Sequence, residues 1–229
     1  MYLLATLPYA EADLAWDVLV PGPAALRARQ LRGALAAAFS ADDSFHQHDP
    51  DGNPLYRYPR VQYRWRRGRG VVAGWLDAAE KVLNAPWLDL ELRLGEEAVR
   101  IAEVSLRTPG GTFGREDRLL RYRFGSPTLL FNQENYAKYA AMAPAAQRSE
   151  RDRLLVAQIL TGLRGLEIDF GARLYAAFVE AKAEPRRFKE QELLALSGTF
   201  VTNAVLPAGF AFGHATSHGF GWVEPLGGP

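Results

Sequence analysis

The sequence predicts an α+β protein in which each half lays its helices on one face of a sheet. Two observations point there. Short runs of alternating apolar and polar residues read as strands and are interrupted by segments with apolar residues at helical spacing. Each half of the chain also offers the same strand–helix–strand–strand order, and no short sequence repeat accompanies it.

Met1 to Leu7 is short and apolar, ends at Pro8 and reads as a strand. After Pro21-Gly22-Pro23, a helix is expected over Ala24 to Phe39, with Leu31, Leu35, Ala38 and Phe39 on its apolar side and Arg29 and Arg32 sharing another face. Ala41 to Pro54 contains Asp-Pro-Asp-Gly-Asn-Pro, a dense turn signal. Leu55 to Trp65 reads as a strand, turned by Gly68 and Gly70 into Val71–Gly74. Trp75 to Asn84 reads as a helix, and Trp87–Leu94 with Ala98–Leu106 as a hairpin. Thr108-Pro-Gly-Gly-Thr is the natural linker and divides the chain into domains 1–110 and 111–229. Beyond it, Leu119–Phe124 is expected as a strand, Asn132–Met142 and Ser149–Leu166 as helices, and Arg173–Ala183, Leu193–Val205 and Phe220–Val223 as strands.

Composition excludes several classes. With 229 residues the chain holds one large domain or two small ones. It has no cysteine, which removes disulfides, thiolate nucleophiles and cysteine-based zinc sites. No apolar stretch is long enough for a membrane span, and MYLLATLPYAEADL lacks the basic start of a signal peptide, so a cytoplasmic protein without a membrane partner is expected. The formal net charge of +1 hides a local excess, because residues 57–69 hold six arginines and no acid.

All four histidines fall in two short segments. His46 and His48 lie in FHQHDPDGNPLYRYPRVQYR, just ahead of Tyr56. His214 and His218 lie in GFAFGHATSHGFGWVE. Imidazole exchanges protons near neutrality. Two residues on an extended chain span roughly 6.6 Å with both side chains on one face, so His46 and His48 are spaced to flank a scissile phosphate. RNA supplies its own nucleophile, the 2′-hydroxyl; cleavage then needs a base, an acid and positive charge on the phosphate, and no metal. Arg57, Arg60, Arg64, Arg66 and Arg67, interleaved with Tyr58, Tyr63 and Trp65, suit phosphate contacts and base stacking. The competing readings are a solvated turn for the pair, a solvated strand face for the arginines, a core role for alternate residues of that strand, and metal binding by the histidines. Glycines 209, 213, 219 and 221 can bring backbone N–H groups close to phosphate or make a tight bend before a last strand; no Walker pattern is present.

LRGAL at 31–35, the His-x-His pair, LYRYPRVQY at 55–63, FNQENYAKY at 131–139, SGTFVTN at 197–203 and GHATSHGFG at 213–221 together resemble the CRISPR-associated (Cas) endoribonucleases of the RAMP superfamily that cut precursor CRISPR RNA within each repeat. The resemblance covers nearly the whole chain. It implies two tandem ferredoxin-like (RRM-like) domains with a C-terminal glycine-rich loop, metal-independent cleavage without a cofactor, and retention of the product RNA by some members. Carried over by position, His46 and His48 become the catalytic pair with Tyr56 beside them, and Gly213, Ser217, Gly219 and Gly221 become RNA contacts. Arg29 and Arg32 lie near an assisting basic helix residue of the family. His214 and His218 stand where the family favours permanent cations. The implied partners are CRISPR repeat RNA and mature crRNA; other effector-complex subunits and a homodimer stay open. A non-catalytic crRNA-binding subunit is the alternative function.

Overall fold

The computed structural model describes residues 1–46, 57–188 and 191–227. Its elements in chain order are β1 (Tyr2–Leu7), β2 (Tyr9–Trp16), α1 (Ala24–Ala38), α2 (Asp43–His46), β3 (Val61–Arg66), β4 (Arg69–Trp75), α3 (Asp77–Asn84), β5 (Glu91–Leu94), β6 (Glu97–Arg107), β7 (Gly111–Phe124), β8 (Thr128–Leu129), α4 (Gln133–Ala140), α5 (Pro144–Gly165), β9 (Ala176–Phe188), β10 (Gln191–Val205) and β11 (Val223–Pro225). They form two compact units, each α+β. One comprises Leu7–Gly111 with Ser217–Gly219; the other comprises Met1–Thr6, Thr112–Thr216 and Phe220–Pro229.

In the unit built on Leu7–Gly111, five antiparallel strands lie in the order β3-β4-β2-β6-β5. One face carries Ala10, Ala12 and Leu14 of β2, Val72 of β4 and Val61, Tyr63 and Trp65 of β3, all buried in a single core with Leu31 and Leu35 of α1 and Ala78, Ala79 and Val82 of α3. The pleat therefore sends the aromatic half of the arginine-aromatic run inward. Gly74 fixes how closely α3 approaches β4, because a Cβ there would lie 2.3 Å from the Ala78 carbonyl oxygen. At the N-terminus of α1, Arg27 is buried and bonds Leu94 O at 3.3 Å, Glu97 at 2.9 Å and the Pro21 carbonyl, tying the helix start to the β5–β6 turn.

The opposite face of this sheet is ionic. Glu11 of β2 receives Arg64 at 2.8 Å, Arg66 at 3.2 Å and Arg107 at 2.9 Å, and accepts the Tyr9 hydroxyl at 2.5 Å. Arg64, 1% exposed, also donates to Tyr9 Oη and Gln62 Oε1, both at 3.2 Å. Burial alone would raise the Glu11 pKa, but Arg64, the Tyr9 hydrogen bond, Arg66 and Arg107 outweigh it and hold the carboxylate below its ordinary value. Burial, with Glu11 beside it, pushes the Tyr9 phenol up to about 12.

The second unit centres on β10. From Gln191 to Thr202 it pairs with β9 on one side, while β8 and β7 share the other side in succession. Beyond β7 lie β1 and β11. Phe124, Phe200 and Phe212 pack as neighbours in its core, and the half-buried Phe178 stacks on Phe124. The apolar side of α5 (Leu154, Leu155, Ile159 and Leu163) is buried.

Several sequence expectations shift. Tyr9–Trp16, not foreseen, is the central strand of the first unit. The stretch Leu55–Trp65 enters its strand only at Val61, with Leu55 and Tyr56 outside the described residues. Trp87–Asp89 is a 3₁₀ turn ahead of β5 because the Trp87 indole bonds back to Val82 O at 2.9 Å. The linker is shorter than expected, since β7 already begins at Gly111 and runs unbroken to Phe124. The last strand begins at Val223, because Phe220 to Trp222 serve the bend before it.

Glu11→Ala strands the buried Arg64 guanidinium and is expected to cost about 3–5 kcal/mol, with Glu11→Gln costing less. Urea denaturation measures both. Because the Glu11 pKa is depressed in the fold, its contribution is full above the ordinary carboxylate pKa and is lost as pH falls through the lower folded value. The Glu11→Ala variant should therefore lose less stability than wild type between about pH 5 and pH 3, a window set by the free carboxylate pKa.

Candidate active site

His46 is the last residue of α2, and a set of short-range bonds fixes where that one-turn helix sits. Asp42 stands just before it and its Oδ1 accepts the Ser44 N–H at 3.0 Å, the N-cap pattern that satisfies an otherwise unpaired donor. Lys81 of α3 bridges Asp42 Oδ1 and Ser44 Oγ, each at 2.7 Å. Burial of Asp42 would raise its pKa, but the Lys81 and Ser44 hydrogen bonds prevail and lower it. Arg57 pairs with Asp43 at 2.9 Å. From below, the Tyr63 hydroxyl donates to the Phe45 carbonyl at 2.7 Å, and the buried Phe45 ring stacks on Phe39 with centroids 4.3 Å apart. Burial holds the Tyr63 phenol well above its ordinary pKa, so it remains a donor.

Arg32 is half-buried on α1 near Tyr63, and burial lowers its pKa. Arg29 is exposed on the same helix. Ser217–Gly219 belongs to this unit: a Cβ on Gly219 would lie 2.9 Å from Tyr63 O and 3.0 Å from the Ala28 Cβ. Gly219 takes φ +89°, a conformation glycine adopts without strain. The unit thus brings together Arg32, the α2 backbone at His46, Tyr63 and the Ser217–Gly219 segment. His48 and Tyr56 lie outside the described residues.

The arginines part company. Arg64 is an internal ion-pair partner of Glu11 and presents no guanidinium to a ligand, which corrects its assignment as an RNA contact; an alternating strand places it on the buried ionic face. Arg66 is half-buried on the same carboxylate, and Arg60 pairs with Asp77 at 2.6 Å. Arg67 is exposed in the β3–β4 turn, at φ +51°. Trp65 and Tyr63 are core residues and do not offer stacking faces.

The glycine-rich segment is a folded bend. Phe210, Phe212, Phe220 and Trp222 are buried. Gly221 is required because a Cβ would lie 2.1 Å from Phe212 O. Several of its amides are already spent: Gly209 N bonds Val223 O, Phe212 N bonds Gly221 O, His214 N bonds Leu129 O and Gly221 N bonds Pro127 O. Gly213 is half-buried at φ +100°. Ser217 is buried with its Oγ 3.2 Å from His218 Nδ1, so it orients the half-buried imidazole and is not itself open to a ligand. His214 is exposed on one side; the protein around the rest of its ring lowers its pKa by desolvation. Asp42, Ser44 and Lys81 carried no visible motif. Their one sequence signal was Asp42 at N-cap distance ahead of Phe45.

Comparison with solved structures agrees with this architecture. The chain superposes on a crystal structure of Cas6b with a TM-score of 0.87 at 23% identity, covering 97% of this chain and 100% of that one. A structure titled CRISPR RNA processing endoribonuclease Cas6b matches with a TM-score of 0.75 at 21% identity over the same shares. The fold is the tandem ferredoxin-like arrangement of these RNA-processing Cas proteins. Residues 21–109 match the Cas6b N-terminal domain and residues 114–226 the Cas6b C-terminal domain, so the chain belongs to the Cas6b family. An uncharacterized protein of Methanocaldococcus jannaschii is 26% identical over 133 residues, 58% of this chain and 90% of that protein.

Asp42→Ala removes the cap and the Lys81 bridge together, and should loosen α2 by about 1 kcal/mol. Amide hydrogen exchange is expected to speed up at Ser44 and Phe45 while Val72 in β4 keeps its protection.

Proposed function

We propose that this protein is a metal-independent endoribonuclease that cuts precursor CRISPR RNA within its repeats to release mature crRNA. The observation that carries the reading is the match to both Cas6b domains across residues 21–226, which includes the segment holding His46 and His48. One imidazole of the pair takes the proton of the 2′-hydroxyl as its oxygen attacks phosphorus. The other gives a proton to the departing 5′-oxygen, leaving a 2′,3′-cyclic phosphate and a 5′-hydroxyl. Tyr56 orients an imidazole or touches the RNA. Positive charge for the phosphate comes from Arg32 and from exposed Arg29, Arg57 and Arg67, with His214 and His218 as titratable contacts. The support for this set is physical: a rigid α2 seat beneath His46, with cations on the neighbouring helix and turn.

Repeat RNA incubated in EDTA tests the proposal. Cleavage should proceed, should vanish on a substrate with 2′-deoxyribose upstream of the scissile phosphate, and should slow at least about a hundredfold in His46→Ala or His48→Ala with little change in affinity. A gel shift without product identifies a non-catalytic crRNA-binding subunit instead, and loss of activity in EDTA a metal-dependent nuclease.

RNA affinity should rise as pH falls. Free His214 has a lowered pKa through desolvation, and a phosphate beside it would raise that value in the complex. The bound state then holds more protons: the gain is complete below the free pKa and is lost as pH rises through the bound one. Binding isotherms at three pH values should show this for wild type, and a flat profile when both titratable contacts are replaced in His214→Arg/His218→Arg. A flat wild-type profile removes His214 from the interface.

A further inference from the structure

A second feature lies in the other unit, where β7 departs from its partner. Thr202 of β10 faces Leu120 of β7, yet Ala204 faces Arg115, so the single residue Asn203 stands opposite the four residues Glu116–Leu119. Such a bulge bends the strand and re-aims its side chains. Here it opens a cleft of about 480 Å³ between the bulge, the end of β10 and the tail after β11. Leu120, Tyr122, Leu206 and Leu226 supply apolar walls, and Arg118 and Arg121 stand exposed at its margin. Among the described residues no carboxylate pairs with either arginine, in contrast to Arg123, which is held by Glu224. The cleft is itself well supported: the Tyr122 hydroxyl donates to Ala204 O at 3.2 Å and accepts the Leu206 N–H at 3.0 Å, while Leu226 N bonds Arg121 O at 2.8 Å.

We infer that this cleft is a subsite for one unpaired nucleotide of the RNA, with the base between the apolar walls and its phosphate on Arg118 and Arg121; the inference rests on the RNA-processing reading above. Its volume falls in the range of small-ligand sites. An apolar slot with two unpaired guanidiniums complements a flat, uncharged ring joined to an anion, and a nucleotide combines the two. The cleft belongs to the unit without His46, and the role it takes in this inference is to hold the strand.

The test uses the full chain and fluorescein-labelled repeat RNA. Arg118→Ala/Arg121→Ala, both exposed and so neutral to folding, should weaken binding about tenfold while the cleavage rate at saturating RNA stays unchanged. A series of RNAs, each with one abasic site, should show one position whose loss weakens wild type by a similar factor and leaves the double variant unaffected. Variants that bind as wild type does, while wild type still binds and cuts, overturn the subsite and leave the endoribonuclease reading standing. Weakened binding with no coupled abasic position assigns the arginines to diffuse attraction and also overturns it. A double variant that binds RNA normally but changes from dimer to monomer by light scattering gives the cleft to a second copy instead. Wild type that does not bind repeat RNA at all overturns both readings.

Discussion

The carboxylate of Glu11 organises one face of the sheet in the unit that carries α2. Its partners come from three other places in the chain: Arg64 and Arg66 on β3, Arg107 on β6 and the Tyr9 phenol two residues away. Taking Arg64 out of water is costly unless its charge is matched, and here it is matched by an ion pair and further hydrogen bonds. The registry of β3, β4 and β2 follows, because a one-residue slip of β3 would turn Arg64 into the apolar core and Tyr63 out of it. Tyr63 in its proper place then reaches the Phe45 carbonyl and seats α2. The position of the histidine-bearing turn thus depends on an ion pair formed on the other face of the same sheet.

Much of the fold was legible in the sequence. Helices whose apolar residues recur at helical spacing, such as α1 and α5, appeared near where they were expected, although α5 already begins at Pro144. The central strand β2 was not, because Tyr9–Trp16 carries Glu11 and Asp13 at positions that an amphipathic strand turns to water. Their counter-charges, Arg64 and Arg69, lie far along the chain and become partners only in the sheet. The chain before β2 was broken at Pro8, where it passes from one sheet to the other.

The candidate site was legible in residue type and less so in role. Six arginines in a row of thirteen residues announce a basic surface, yet the pleat and the carboxylates of β2 and α3 claim several of them. Likewise, the glycines near the C-terminus answer to backbone crowding, as Gly221 does against the Phe212 carbonyl. Sequence shows which groups can bind phosphate; burial decides which remain free to do so. Lys81 and Asp42, which seat α2, form a pair across 39 residues and leave no local pattern to find.

The membership of Ser217–Gly219 in the unit built on Leu7–Gly111 has a consequence for synthesis. A ribosome adds about 5–20 residues each second and domains tend to fold as they emerge. Here Leu7–Gly111 leaves the exit tunnel well before the piece that rests on Tyr63 and Ala28, with all of Thr112–Thr216 translated between them. A nascent chain that had reached only Gly111 would hold Tyr63 and Ala28 and would still lack the segment that packs on them. The surroundings of Tyr63 would therefore be completed only after the intervening Thr112–Thr216 had been made.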